Sequence, residues 1–576
     1  MDTDHAMPGV SPVKPAMTAG GLCATEATET EATAKRAKNL AVHAPVARFE
    51  MKPMRYSRMV LGSLLYASTP VSALEPARGL DQIETIVVIY AENRGFDHLY
   101  GLFPGANGLR NVTPEMAAQR DRYEGILMEL PPVWGGLTAR GVVPPVTEAQ
   151  TQHLPNSPFA IDDPQGFNAG LDIITQTPWH LFYQNIMQIN GGKNNKFVAF
   201  ADKGALPMGY YITNEKNLLC GASRANTRLP TNSSWAFGGS YLNHFWLVCA
   251  CTPKYPNADQ SPAKGQISVV EPDGMSLKLA DNSPRSALDG PPKFMRDGAL
   301  TPDFYSVNTM QPPYQPSAVK PVNDGNPLYA DPASGSILPP QGEETIGDLL
   351  SAKGIGWAWY AGAWLATLEG LKFTPPPIFQ YHHQPFNYFA AWAPGTAARA
   401  EHLRDGGING EAFISTIDAG TLPPVAFYKP QGNLNEHPAY ADVLLGDRHI
   451  LDLVNHLEKS PQWNHMLVVI TYDENGSGTT SRRPRPTAGD RARACRQSSP
   501  RPSPSAATST TRSMIRPRSC ASSPAASACR TCRASLSATP HCRRTRALRS
   551  AILPMRSTCR PANREAGRGP SYCLTG

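Results

Sequence analysis

Ile83-Glu-Thr-Ile-Val-Val-Ile-Tyr90 and Met466-Leu-Val-Val-Ile-Thr-Tyr472 are two apolar, β-branched runs near opposite ends of the folded part of the chain. Neither alternates apolar with polar residues, so each reads as a strand buried on both faces. Just before the second run, Ile450, Leu453, Val454 and Leu457 recur at i, i+3, i+4 and i+7, the spacing of one helix face. A second helix–strand pair is read at residues 345–353, stopped by Gly354, and 355–360. Helices alternating with apolar strands predict an α/β fold, with a largely parallel central sheet and helices on both faces. Residues 102–170 are rich in Pro and lack periodicity, and are read as loops.

Ligands of open α/β sheets bind beyond the carboxyl ends of the strands. The first run is followed by Glu92-Asn93 and the second by Asp473-Glu474-Asn475. Carboxylate and amide oxygens gathered at one sheet edge make a site for a hard cation. The same residues also cap helices, and spacing alone leaves the two readings open. Histidines occur at Asp97-His98, at Tyr381-His-His-Gln384 and at Asn435-Glu-His-Pro438. The adjacent His382 and His383 suit metal ligation or hydrogen bonding to a phosphoryl oxygen. In Ala236-Phe-Gly-Gly-Ser-Tyr-Leu-Asn-His244 a serine follows two glycines. It reads either as a turn or as a nucleophile that a bound metal activates.

These stretches, taken in order, resemble one family: the bacterial acid phosphatases and phospholipases C of the phosphoesterase group, related in fold to alkaline phosphatase. The matching segments are IVVIYAENRGFDHLYG, FYQNIMQINGGKNNKFVAFAD, AFGGSYLNH, TIGDLLSAKGIGWAWYAG, QYHHQPFNYF, NEHPAYAD and VVITYDENG, spread over residues 83–476. The resemblance implies an alkaline-phosphatase-like sheet and a divalent metal ion of unknown identity. It makes Glu92, Asn93, Asp473 and Glu474 metal-site residues and Ser240 the nucleophile. It sets His382, His383 and His437 around the phosphate, with His153 a further candidate. The implied reaction is in-line attack by Ser240 on a small phosphoester, a phosphoserine intermediate, then attack by water. A phospholipase C acting on phospholipid headgroups is the alternative within the family. A non-catalytic phosphoester-binding protein, or an inactive product, is the alternative outside it.

The termini read differently from the body. Arg55 and Arg58, the apolar stretch Met59-Val-Leu-Gly-Ser-Leu-Leu-Tyr66 and the small residues Val71-Ser-Ala73 make residues 54–73 a secretory signal, too short to span a bilayer. A secreted or periplasmic protein is therefore expected, with residues 1–53 a disordered extension from a mis-called upstream start. The net charge of +7 hides a split: residues 477–576 hold 20 Arg and no Lys, with one Asp and one Glu, so the body is acidic. Arg-rich tails often bind nucleic acid, but Tyr572 is the tail's only aromatic residue, which argues against that partner. Of the 11 cysteines seven lie in the tail, and Cys249 and Cys251 are too close in sequence to suggest a disulfide framework.

Codon arithmetic accounts for the tail. Read in the shifted register, Gly478-Thr-Thr-Ser-Arg-Arg483 can encode Trp-Asp-His-Val-Ala-Pro, the segment with which the family continues. A frameshift near Gly476 is expected, and a second, self-correcting one over residues 212–235, leaving Ser240 intact. The phosphoesterase domain then covers residues 80–476, and the sheet is incomplete at its C-terminal end. Without Val, Phe or Trp, the disordered Arg-rich tail is expected to supply no buried strand.

Overall fold

The computed structural model describes residues 82–103, 108–213, 237–370 and 378–474, with the backbone of Thr227–Arg228 and Tyr572–Thr575. Five strands form its centre: β1 (Thr85–Ala91), β2 (Trp357–Gly362), β3 (Leu403–Gly407), β4 (Val425–Lys429) and β5 (Met466–Tyr472). Their order is β5-β1-β4-β2-β3, and every neighbouring pair is parallel. Thr85 to Ala91 pair in register with Met466 to Tyr472 on one side of β1, and Ile86 to Ile89 with Val425 to Tyr428 on the other. The α/β reading holds, and the strands within both quoted runs are buried, β1 from Thr85 on and β5 apart from the half-buried Leu467 and Thr471.

Five helices matter for the site: α1 (Phe182–Ile189), α2 (Ser240–Cys249), α3 (Ile346–Ala352), α4 (Glu411–Asp418) and α5 (Val443–Lys459). Successive strand residues point to opposite faces, so β1 feeds two cores. Val87 and Ile89 pack with Phe413 and Ile417 of α4 and with Ile450, Leu453 and Leu457 of α5. Ile86, Val88 and Tyr90 pack with Tyr183 of α1, Leu242 and Phe245 of α2 and Leu350 of α3. In α5 the four periodic residues are all buried, each side chain contributing about 1.5–3 kcal/mol. Asp442 caps this helix by accepting the Leu445 N–H at 2.7 Å. Thr345 and Asp348 form a reciprocal capping box on α3. The strand after it starts two residues later than expected, because Gly354 takes a left-handed φ of 63° and the turn runs on.

One expectation needs correction. Cys249 and Cys251 are joined by a disulfide, with Cα atoms 5.1 Å apart. Sequence spacing hid this pair because Ala250, at φ 48°, turns the chain left-handed at the end of α2 and brings the two sulfurs together. The expectation that the tail supplies no buried strand is not tested by Tyr572–Thr575, of which only the backbone is described: it pairs parallel with β5, and Thr227–Arg228 pairs beyond it. A ladder is built of main-chain groups, so poverty in Val and Phe does not forbid it. Apart from these segments and residues 212–213, the readings for 1–53, 54–73, 212–235 and 477–576 lie outside the described residues. Among the described residues no helix is long and apolar enough to cross a membrane.

Candidate active site

Three adjacent strands, β4, β1 and β5, end at one edge of the sheet. Lys429 closes β4, Glu92 and Asn93 follow β1, and Asp473 and Glu474 follow β5; all five side chains are buried. Ser240 arrives from the other direction, as the first residue of α2. Gly238 has φ 106°, which a residue with a Cβ adopts only under strain, and this bend aims the helix start at the strand ends. The glycine pair read from the sequence as a turn is thus a turn that delivers a serine.

Ser240 Oγ lies 2.9 Å from Glu474 Oε1 and 3.1 Å from Asn93 Oδ1. One hydroxyl proton can serve only one of the two acceptors, so three oxygens converge where a positive charge is wanted. The Asn93 N–H donates to Asp473 Oδ1 at 2.8 Å, tying the ends of β1 and β5 together. Asn93 Nδ2 donates to His437 Nε2 at 2.8 Å and to His180 Nε2 at 3.2 Å. Both rings carry their proton on Nδ1, facing the carbonyls of Pro438 and Pro178. His180 Nε2 is also 3.2 Å from Glu474 Oε1.

Glu92 is held on all sides. Its Oε1 is 2.7 Å from His383 Nε2, 3.0 Å from Lys429 Nζ and 3.7 Å from His382 Nε2. Its Oε2 accepts from Asn435 Nδ2 and, at 3.1 Å, from Tyr440 OH. By contrast Asp473 Oδ2, Glu474 Oε2 and His382 Nε2 are buried without a hydrogen-bond partner.

Electrostatics follow these contacts. Burial pushes the Glu474 carboxyl up to about 8, and burial with the neighbouring Glu474 charge holds Asp473 well above the usual carboxylate range. Burial acts to raise Glu92 too, but His383 and the Lys429 ammonium outweigh it and keep this carboxyl well below its usual range. Burial lowers His383 to about 3 and His437 to about 4, so both imidazoles are neutral. It lowers His180 and His244 as well.

Two donor sets here suit a cation. Glu92, His382 and His383 place one ligand atom each within 4.8 Å of one another and could hold a metal ion. The orphan oxygens of Asp473 and Glu474, with Asn93 Oδ1 and Ser240 Oγ, form an oxygen-rich set that suits a hard cation. A family model for the phosphoesterases matches residues 83–496. The chain belongs to the phosphoesterase family. Hydrolysis of phosphoric esters is the chemistry of this phosphoesterase in general terms. No curated protein matches it.

Of the residues named from sequence, Glu92, Asn93, Ser240, His382, His383, His437, Asp473 and Glu474 come together in the phosphoesterase site. His153 does not. Its ring is exposed and pairs with Glu129 at 3.0 Å, and no contact joins it to the cluster. Three members were missed. His180 is a lone histidine in Pro178-Trp-His180 and gives no pattern. Lys429 ends a five-residue apolar strand, where a lysine reads as solvated. His244 stands four residues after Ser240, on the same helix face, and donates Nδ1–H to the Ser240 carbonyl at 2.6 Å; the i, i+4 spacing was the available signal.

Proposed function

We propose that the site hydrolyses small phosphate monoesters, in the manner of an acid phosphatase, with Ser240 as nucleophile and a divalent cation as cofactor. One observation carries this reading. Ser240 Oγ is within 2.9 and 3.1 Å of groups from the ends of two different strands, at a sheet edge where buried carboxylate oxygens lack partners. Asn93, Asp473 and Glu474, with Glu92, would hold the cation. When bound, it supplies neutralisation of a phosphoryl oxygen and a more acidic serine hydroxyl. Ser240 Oγ loses its proton to solvent and bonds to phosphorus, as the ester oxygen leaves with its electron pair and takes a proton from solvent to become the alcohol. Water then cleaves the phosphoserine and restores the hydroxyl. His382, whose Nε2 is buried without a hydrogen bond and 3.7 Å from Glu92 Oε1, suits donation to a phosphoryl oxygen.

The test uses the full chain, stripped of metal and reloaded with single divalent cations, on an aryl phosphate and on phosphatidylcholine vesicles. Phosphate release from the aryl ester that Ser240→Ala abolishes is the expected result. Unchanged release in Ser240→Ala removes the nucleophile assignment, and turnover confined to the lipid shifts the reading to a phospholipase C. The signal-like residues 54–73 support secretion or a periplasmic location, which N-terminal sequencing of the exported protein checks. The frameshift reading is supported by the recoding of residues 478–483, and resequencing of the DNA across residues 472–532 decides it.

A further inference from the structure

Lys429 has a fully buried side chain at the end of β4. Its Nζ is 3.0 Å from Glu92 Oε1 on the neighbouring strand end, 4.0 Å from Asp473 Oδ2 on the next one, and 5.0 Å from the centre of the Tyr90 ring. Although close to Glu92, Nζ makes no hydrogen bond of acceptable geometry. What it contributes is charge rather than a directed bond. Glu92 does not need it for orientation, since His383, Asn435 and Tyr440 already hold both carboxylate oxygens. A buried ammonium without hydrogen bonds is costly unless a nearby anion offsets it, and here the Glu92 carboxylate does so, with Asp473 on the next strand end 4.0 Å away.

We infer that Lys429 is a built-in cation of this site. It is a positioning residue whose charge offsets that of Glu92 and which fills the space between the Glu92 and Asp473 carboxyls, where a second ion could otherwise sit. Two-metal sites clamp a phosphoester between cations roughly 3.5–4 Å apart, and both cations there must be recruited from solution. With Lys429 in place, the carboxylates of Glu92, Asp473 and Glu474 are neutralised by one dication and one ammonium. A second dication is then excluded by like charge. The inference rests on the hydrolytic reading above, but its first readouts need no turnover.

The test compares the full chain with Lys429→Met and Lys429→Ala after chelation. Bound Mn²⁺ is counted by equilibrium dialysis, metal-free protein is melted, and aryl phosphate hydrolysis is followed as Mn²⁺ rises. The unsubstituted chain is expected to bind one equivalent. Lys429→Ala gains a second equivalent, because it opens a space between two carboxylates. Lys429→Met does not, because an apolar chain fills that space. Both metal-free variants melt below the unsubstituted protein. In Lys429→Met, kcat/KM falls on the order of 10- to 100-fold, and in Lys429→Ala added Mn²⁺ restores part of the loss. A merely structural lysine would move melting but not stoichiometry. An Mn²⁺ count unchanged in Lys429→Ala overturns the inference. If the unsubstituted chain turns over no phosphoester while the counts change as stated, the hydrolytic reading fails and the role of Lys429 stands.

Discussion

The ends of β1 and β5 are neighbours, and each carries an acidic residue that is fully buried, yet the two are in opposite states. Glu92, after β1, has partners for both oxygens and is held ionised. Asp473 and Glu474, after β5, each keep one oxygen without a partner, and burial drives both toward the protonated form. Sequence treats the two acidic pairs alike. The difference is that Glu92 has Lys429 at 3.0 Å, three imidazole or amide groups and a tyrosine around both its oxygens, whereas the β5 pair has Lys429 no nearer than 4.0 Å and one oxygen of each acid without a hydrogen bond. One end has its charge already matched by protein groups, and the other awaits a partner for its free oxygens.

Ser240 bridges the two ends, so its replacement should have the largest effect. Ser240→Ala is expected to lower kcat by at least about 1000-fold in a phosphate-release assay. Stability should then separate the ends. Glu92→Gln strands Lys429 without its nearest anion and should destabilise the metal-free protein by about 3–5 kcal/mol, read by denaturant unfolding. Asp473→Asn removes a carboxyl that burial disfavours, while an amide oxygen can still accept from the Asn93 N–H. It should leave metal-free stability unchanged or raised, yet weaken divalent cation binding. Equal destabilisation by the two substitutions would dissolve the contrast.

A smaller effect lies in pH. Glu474 at about 8, with Asp473 raised too, means the folded metal-free protein keeps protons that the unfolded chain has released. That contribution favours folding at low pH and is lost as pH rises toward 8. The lowered histidines act oppositely, but only below about 6.5, the ordinary histidine value. Between pH 6.5 and 8 the carboxylates are therefore left in charge, and the melting temperature of metal-free protein should fall with pH. A divalent cation should flatten the fall without abolishing it, because burial also raises Glu436 to about 8, away from the cation set. The smallest effect is expected from His153→Ala, within about 0.5 kcal/mol in stability and with kcat/KM unchanged. A large loss there would mean that the exposed His153–Glu129 loop takes part in the site after all.

Much of this arrangement was legible in the sequence. β1, β5 and α5 announced themselves because buried strands are unbroken apolar runs and an amphipathic helix repeats every 3.6 residues. The strand-end acids followed from the rule that ligands sit at carboxyl ends. What stayed hidden was contributed by short or irregular segments. β3, Leu403-Arg-Asp-Gly-Gly407, carries no strand signature and pairs through its backbone beside β2. His180 is placed by the turn at Pro178 and by its bond to Asn93, neither of which leaves a pattern. His153 failed for the same reason in reverse: a histidine in a polar loop looks the same whether the loop folds toward the site or away from it.

The strand order carries a consequence for biosynthesis. β1 begins at Thr85, but the strand that pairs with it along its whole length begins at Met466, about 380 residues later. At roughly 5–20 residues per second, a ribosome separates the two by roughly 20–80 s. Until β4 is made, about 340 residues after β1, one of the most apolar segments of the chain has both hydrogen-bonding edges open, and the edge that takes β5 stays open to the end of the interval. Such a segment is a template for pairing between nascent chains. The order in which this protein is made therefore leaves Thr85–Ala91 exposed to such pairing, and shielding it until Met466–Tyr472 emerges is expected to raise the folded yield.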